Sequence, residues 1–392
     1  MHVPAAWYQL LALLEQHLPH LRPAEQRGLA WWVLGTILAH SACQSAVVTA
    51  LSPFRKAYAA RQALREWLYA GVDKAAPCQS QLDVQACFAP LLGWVLRWWQ
   101  SEQLALAIDA THHRQELVLL VVSVLYRGSA IPVAWHVQAG LARGSWVVQI
   151  IALLERLRPA LPAHLTVLVL ADRGLWSPRL WQAICALEAH PLVRVQKRAT
   201  FQPDGAERVP LQVLAPRPGT AWVGQGRAFK DRPVPGRCTA VVVWAAGHDA
   251  PWLLLTDLPP AQVGVSWYGL RSWIEVGFRT LKSLGWHWQR TRRTDPERVS
   301  RHWLVLAVAT LWTVAVGTRV EEADWTGQPP WHVRTPQPRP AHYVRRTSLM
   351  RHGFSWILAQ LIDGRCWQTL WLADDPWPPA PAGLITCYHD SS

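Results

Sequence analysis

Charged residues are scarce in this sequence: they make up 17% of its 392 residues, against 51% hydrophobic residues. This balance excludes a disordered chain and predicts a globular protein with a large core, in two or three structural units. Asparagine is absent, and tryptophan is unusually frequent, at 26 residues. With so many tryptophans, no single one indicates a function without further support.

Cysteine pairs and targeting segments are also lacking. The seven cysteines are scattered, and no two form a Cys-x-x-Cys pair. The spacing therefore gives no indication of a disulfide framework or a zinc knuckle, and it favours a reducing, cytoplasmic compartment. We expect no secretory signal, because no basic segment followed by an apolar run opens the sequence. The longest apolar run, 303–317, is short for a membrane span and predicts a buried helix.

Acidic residues are outnumbered by basic ones, 26 to 39, which gives a formal net charge of +13. Such an excess favours a polyanionic partner, with nucleic acid first and a membrane surface second. Charge alone leaves open a basic protein that binds neither.

Residues 1–100 carry apolar residues at helical spacing, which predicts helices over 8–17, 23–40 and 52–69. Ser52 and Pro53 resemble the cap and first turn of the third helix. That helix is basic, so the segment 1–100 is interpreted as a helical DNA-binding domain. A solvated amphipathic face is an equally good interpretation of the same charges.

The next region changes from helical to β-rich. Apolar runs at 104–110, 117–126 and 130–137 predict an antiparallel meander, and a helix at 145–158 follows. A strand at 165–170, a helix at 177–190 and a strand at 192–196 complete the order β-β-β-α-β-α-β. This order is typical of a ribonuclease-H-like mixed sheet flanked by helices, an α/β fold.

The predicted domain organisation places this core in two parts of the chain. Residues 101–198 form its first part, 199–260 a β-rich insertion and 261–320 its last helices. Residues 321–392 form a C-terminal region. Further helices are expected at about 295–319 and 353–362.

Two aspartates stand at the ends of predicted strands, Asp109 after the first and Asp172 after the fourth. A charge at the tip of a buried strand is costly unless it is paired, and a metal ion is one such partner. Each aspartate alone is also explained as the cap of the following turn.

A later stretch, 268–282, holds Tyr268, Arg271, Glu275 and Lys282 at steps of three, four and seven residues. These steps place all four on one stripe of an α-helix. A solvated salt-bridge ladder would show the same spacing. Three carboxylates from Asp109, Asp172 and Glu275 that converge can hold two magnesium ions and support phosphodiester chemistry.

These motifs together resemble a DDE transposase of the insertion-sequence-4 type. The resemblance rests on the Asp109-Ala-Thr block, the Ala-Asp172-Arg-Gly block and the Tyr268, Arg271, Glu275, Lys282 signature. It covers about residues 100–290, and the Leu-Thr-Asp-Leu segment at 255–258 is also similar to the family. The long interval between Asp172 and Glu275 matches the family's β insertion.

The resemblance implies cut-and-paste transposition. Asp109, Asp172 and Glu275 would hold two Mg²⁺ ions, for which Mn²⁺ can substitute. Tyr268, Arg271 and Lys282 would grip phosphates of the transposon end. Water would nick double-stranded DNA at the terminal inverted repeats. The freed 3′ hydroxyl would attack the opposite strand to give a hairpin, and a second water would open it. The 3′ hydroxyl would then be joined to target DNA. The family also implies a homodimer in a paired-end complex, with residues after about 300 as a possible contact, in the bacterial cytoplasm.

Other candidates for DNA contact surround these motifs. Trp244 and Trp252 in the insertion are candidates for stacking an extruded base, with packing in the core as the alternative. Arg173 is a phosphate contact or a partner of Asp172. The remaining arginine candidates are Arg279, Arg290, Arg292 and Arg293.

Three histidines are interpreted from their positions alone. His112 and His113 follow the first aspartate block and either approach the metals or form an exposed turn. His302 is expected in the core.

Two other functions are compatible with the residues. A ribonuclease-H-like nuclease or resolvase would cut without strand transfer and needs no β insertion. A catalytically silent, transposase-derived DNA-binding regulator would bind without cutting, although the presence of all three acidic residues argues against it.

Overall fold

The described part of the amino-terminal region is mainly helical, with five α-helices. The computed structural model describes residues 3–74, 81–140, 146–231, 233–340, 342–364 and 369–389. The helices are α1 (Ala5–His17), α2 (Pro23–Ala39), α3 (Gln44–Leu51), α4 (Ala57–Trp67) and α5 (Phe88–Trp98). The helix predicted over 52–69 is wrong at its start. Phe54 and Arg55 both donate backbone hydrogen bonds to the Leu51 carbonyl, so Ser52 and Pro53 lie in the turn that ends α3.

The core sheet has the predicted strand order. Its strands are β1 (Gln103–His113), β2 (Leu117–Tyr126), β3 (Ser129–Ala139), β4 (Thr166–Ala171) and β5 (His190–Arg194), in the spatial order β3-β2-β1-β4-β5. Strands β1 to β3 pair antiparallel, whereas β4 pairs parallel with β1 and β5 parallel with β4. The predicted fold class, a mixed sheet of this type flanked by helices, is confirmed.

Two helices connect the core strands, α6 (Val147–Leu157) and α7 (Pro178–Cys185). The predicted start of the first helix at residue 145 lies outside the described residues. The helix predicted over 177–190 ends early, because Glu188 adopts a left-handed conformation, with φ of 56°, and β5 begins at His190.

The insertion continues the core sheet. It contributes β6 (Thr200–Pro203), β7 (Val209–Pro210), β8 (Thr220–Ala228), β9 (Cys238–Trp244) and β10 (Trp252–Thr256). Strand β10 pairs antiparallel with β5 on one side and with β9 on the other. A last strand, β11 (Ile385–His389), pairs parallel with β8. The strands of the insertion and of the core therefore form one sheet, while the predicted domain boundaries stay predictions.

Three later helices are α8 (Ser272–Arg279), α9 (Pro296–Thr326) and α10 (Leu349–Asp363). By length and composition α9 passes for a membrane span, but its most apolar window is wholly buried inside the protein. It packs against α10, β3 and α2, which explains an apolar surface on all sides. The buried helix predicted at 303–317 is confirmed within this longer one.

The two faces of the core sheet are apolar. Alternate residues on one face, such as Leu106 and Val169, join the large core shared with the helices. On the other face Ala107 and Leu170 pack with Leu270 and Ile274 from the segment around α8. This second face positions the candidate site.

Candidate active site

The strand register places the two predicted aspartates side by side. In the parallel pair of β1 and β4, Ile108 lies opposite Ala171. Asp109 and Asp172 each follow by one residue, where the pairing of the two strands ends; β4 stops at Ala171, whereas β1 continues beyond Asp109 to His113. Because strand side chains alternate between faces, both aspartates share the face of Ala107 and Leu170. That face is the one covered by the segment around α8.

The segment around α8 changes its helical geometry twice. A 3-10 turn, Trp267–Arg271, leads into α8, and a π turn, Thr280–Leu284, follows it. The single α-helical stripe predicted for 268–282 is therefore wrong in detail. A 3-10 turn winds more tightly than an α-helix and a π turn more loosely, so the signature residues are redirected. Lys282, which lies in the π turn, lines a cavity described below rather than the carboxylate cluster.

Arg271 connects two of the carboxylates. Its Nη2 lies 2.7 Å from Asp109 Oδ2, and its Nη1 lies 3.2 Å from Glu275 Oε1. The side chain of Glu275 is 62% exposed, whereas those of Asp109 and Arg271 are 21% and 13% exposed. The arginine is thus the present countercharge of the two acids, from a half-buried position between them.

Tyr268 completes the cluster at the other aspartate. Its hydroxyl lies 3.4 Å from Asp172 Oδ1 and 3.4 Å from the Ala171 carbonyl. Trp252 of the insertion contacts the Tyr268 ring edge-on, with 5.5 Å between ring centroids. The structure therefore brings together Asp109, Asp172, Tyr268, Arg271 and Glu275, with Trp252 behind the tyrosine.

The electrostatics of the cluster indicate crowded negative charge. Burial raises the pKa of Asp109 above its ordinary value, Arg271 and the Ala110 N–H oppose this rise, and Asp172 and Glu275 add to it. The Ala110 N–H donates to Asp109 Oδ1 at 2.8 Å. A divalent cation would relieve the same repulsion that Arg271 relieves here.

The donor set fits a hard divalent metal, because carboxylate oxygens are the ligands that Mg²⁺ and Mn²⁺ prefer. Within the described residues, however, no group of three or more His, Cys, Asp or Glu side chains is close enough to hold an ion. Arg271 lies between two of the three acids. Metal binding at these residues therefore requires the arginine to release them.

Part of the chain matches a known protein family. Residues 120–312 match the family model described as the transposase DDE domain. This match supports a DDE transposase. It contains Asp172 and Glu275 and begins within β2, after Asp109. The assignment to the insertion-sequence-4 type, like the role of each site residue, stays a prediction.

Among solved structures, the chain is similar to a piggyBac transposase in a synaptic complex with hairpin DNA, determined by cryo-EM. The identity is 9% and the TM-score 0.41, over 91% of this chain and 78% of that one. No curated protein matches the chain.

The other basic residues predicted to contact DNA lie in different parts of the structure. Lys282, Arg290 and Arg292 line one cavity. Arg173 and Arg279 are exposed beside the carboxylate cluster, one in the turn after Asp172 and the other at the end of α8. Arg293 instead turns towards the amino-terminal helices, where its Nη2 donates to Gln44 Oε1 at 3.4 Å. Its environment is half-buried, and burial lowers its pKa.

The two candidate tryptophans also differ. Trp252 borders the carboxylate cluster through Tyr268. Trp244 donates from Nε1 to the His248 carbonyl at 2.7 Å and lines a different cavity, of about 410 Å³, together with Lys197. Of the two, only Trp252 contacts a residue of the cluster in this structure.

The burial of His113 was not predicted from the sequence. The prediction that His112 and His113 are both exposed is wrong for His113, which is buried against Trp288. His112 is exposed. Extension of β1 to His113 explains this result, since alternate residues of a strand face opposite sides. His302 is buried as predicted.

Proposed function

We propose that this chain is a DDE transposase that cuts double-stranded DNA at the terminal inverted repeats of an insertion sequence and joins the 3′ ends to target DNA. The observation that carries the proposal is the placement of Asp109 and Asp172 by strand register beneath Arg271 and Glu275. The match to the transposase DDE domain supports the same reaction class.

The three carboxylates would hold the divalent metal ions that DDE transposases generally use. Such ions supply charge stabilisation at the phosphate and a stronger oxygen nucleophile at neutral pH. Asp109 is fixed by the Ala110 N–H and by burial, so its carboxylate keeps one orientation. Glu275 is the exposed and adjustable member of the set.

Arg271 has two sets of possible partners in this reaction. Without DNA it neutralises Asp109 and Glu275. A DNA phosphate at the cluster offers it a planar, bidentate acceptor and lets it leave the acids. Tyr268 lies against Asp172 and narrows the room for water on that side.

The reaction sequence that we propose follows the family. Water attacks the phosphodiester at the transposon end, a P–O bond forms, and the P–O3′ bond breaks to leave a 3′ hydroxyl. That hydroxyl attacks the opposite strand to give a hairpin, which a second water opens. The final attack of the 3′ hydroxyl on target DNA exchanges one phosphodiester for another. A homodimer that pairs the two ends belongs to the same proposal.

Cleavage of an end-labelled duplex that carries the inverted repeats flanking this coding sequence tests the proposal, with Mg²⁺ or Mn²⁺ present. Glu275→Gln should lower the cleavage rate at least about 100-fold while DNA binding persists, because loss of a metal ligand removes several kcal/mol of stabilisation. Glu297→Gln is the matched control, since Glu297 is also exposed and also pairs with an arginine four residues away in the sequence, at 3.8 Å.

The products distinguish the competing functions. Hairpinned double-strand breaks followed by joined products support the transposase. Cleavage without any joined product indicates a nuclease or resolvase. Binding of the repeats without cleavage by the wild type, even with Mn²⁺, indicates a DNA-binding regulator and contradicts our proposal.

A further inference from the structure

A second cavity, of about 600 Å³, lies where the end of β1 meets the segment that follows α8. Its lining contains four arginine or lysine side chains, two histidines and one glutamine, without an acidic residue: His112, His113, Arg114, Lys282, Gln289, Arg290 and Arg292. A concave site with several cations and no built-in countercharge favours an anionic ligand.

His113 forms one wall of this cavity. It is 3% exposed, and its buried Nε2 has no hydrogen-bond partner among the residues that the structure describes. The ring packs on Trp288, with 4.6 Å between centroids. A buried polar atom without a partner costs about 1–3 kcal/mol, and a bound ligand that accepts or donates a hydrogen bond there would remove this cost. The buried Oε1 of Gln289, on the same wall, also lacks a partner.

The position of the cavity relative to the carboxylates is set by β1. Asp109 and His113 belong to the same continuous strand. At a rise of about 3.4 Å per residue, the cavity begins roughly 10–14 Å from Asp109. Phosphates of one DNA strand follow each other at about 3.4 Å along the helix axis. The cavity is therefore within a few nucleotides of a phosphate held at the carboxylates.

We propose that this cavity binds one backbone phosphate of DNA, within a few nucleotides of the phosphodiester that is cut, and that His113 takes up a proton when this phosphate binds. The inference rests on the proposed function for its DNA ligand. Lys282, Arg290 and Arg292 supply fixed positive charge at the cavity. His113 supplies a hydrogen-bond donor that becomes cationic only when the anion is present.

The surroundings of His113 explain the proton uptake. Burial lowers the pKa of His113, Arg114 and Lys282 lower it further, and Glu116 opposes them. Arg290 and Arg292, from the segment after α8, also face the cavity. The ring is therefore neutral at pH 7 in the free protein, and a bound phosphate raises its pKa. Binding should weaken as the pH rises through the pKa of the bound state.

Isothermal titration calorimetry in buffers of different ionisation enthalpy measures this uptake directly. Two probes are used at pH 7, inorganic pyrophosphate and a 30-bp duplex of arbitrary sequence. We expect the wild type to take up as much as about one proton with each probe. His113→Phe keeps the aromatic contact with Trp288 but removes both ring nitrogens, so the uptake should disappear and the affinity for each probe fall about 3- to 10-fold.

His302→Phe is the matched control. His302 is also 3% exposed, has a buried Nε2 without a partner and packs on a tryptophan, Trp32, at 4.9 Å between centroids. It does not line this cavity. The variant should keep the wild-type proton uptake, so a general effect of a buried histidine is separated from a role at the cavity.

A surface variant gives a second measurement that does not depend on core packing. Arg292 is exposed, and Arg292→Gln should reduce the slope of log K against log salt for the duplex by about 0.9, as expected when one phosphate contact is lost. An unchanged slope together with equal proton uptake in the wild type and His113→Phe would overturn the site. Uptake with pyrophosphate but no binding or cleavage of any duplex would support the anion site and contradict the transposase.

Discussion

Two clusters of arginine and carboxylate side chains among the described residues differ in how far they are buried. In the first, which we call the buried network, Arg127 and Glu321 have side chains with 0% exposure and lie 3.3 Å apart. Arg345 binds Glu321 as well and donates to the Arg127 carbonyl at 2.6 Å. Glu322 accepts hydrogen bonds from Trp371 Nε1 at 2.9 Å and from the Gln337 N–H at 3.3 Å.

The second cluster is the candidate active site. There Arg271 alone joins Asp109 and Glu275, and the glutamate is mostly exposed. The same types of residue are thus fully buried in one place and partly exposed in the other, and we call the second set the open cluster. An exposed carboxylate is accessible to a ligand, whereas a fully buried network is not.

The largest effect expected from this difference concerns the buried network. Arg127→Met leaves Glu321 and Glu322 buried with one cation fewer, so we expect a loss of about 3–5 kcal/mol in the apparent free energy of unfolding. Urea unfolding followed by tryptophan fluorescence and circular dichroism measures this loss. Arg271→Met is the matched change in the open cluster and should cost less than half as much. Equal losses in both variants would contradict the distinction.

A pH titration sharpens the same comparison. Burial raises the pKa of Glu322 to about 7, against the Trp371 hydrogen bond and Arg127, which lower it. Between the ordinary pKa of 4.5 and about 7 the folded state then binds more protons than the unfolded state, so stability should fall as the pH rises through this window. Glu322→Gln should flatten the pH dependence of stability by about 1–3 kcal/mol between pH 5 and 7.5.

Thermal melts at these two pH values provide the measurement for Glu322. Glu297→Gln changes a glutamate whose side chain is 72% exposed and should keep the wild-type dependence. If Glu322→Gln retains the full slope, another group controls it and the buried network does not hold a proton.

The smallest effect concerns the binding of a divalent metal that we propose for the open cluster. Arg271→Gln removes the cation that competes for Asp109 and Glu275, so Mn²⁺ should bind about 3- to 10-fold more tightly in the absence of DNA. Electron paramagnetic resonance of free Mn²⁺ gives the dissociation constant without any assay of activity. Arg279→Gln, at an exposed position of the same helix, should leave it unchanged. Weaker Mn²⁺ binding in Arg271→Gln would show that the arginine supports the site instead of competing for it.

Much of the candidate site follows from local pattern. Asp109 and Asp172 each end an apolar run, and parallel strands bring such ends together once the strand order is known. Arg271 and Glu275 are four residues apart, which is contact distance on a helix, and the structure shows that contact. The core strands were predictable for the same reason, because each is an uninterrupted apolar run between turn residues.

The rest depends on contacts that no local pattern specifies. The partners Arg127 and Glu321 are 194 positions apart in the sequence. Lys282 lies in the π turn and lines a cavity separate from the carboxylate cluster, although its spacing from Glu275 is that of a regular helix. The predicted helix start at Ser52 and Pro53 is wrong, because a Ser-Pro pair that suits the first turn of a helix also suits the turn in which a helix ends. The burial of His113 in the wall of the cavity depends on its contact with Trp288, which is distant in the sequence.

The continuity of the sheet has one more consequence. Strand β5 would otherwise be the last strand of the core, with a row of unpaired backbone groups open to other chains. Strand β10 occupies that row, and beyond β5 the Val195 N–H also donates to the Leu253 carbonyl at 2.9 Å. The insertion thus covers an edge of the core sheet at which other chains could otherwise pair. A shortened descendant that lost residues 199–260 would have to cover this edge in another way before it could fold cleanly.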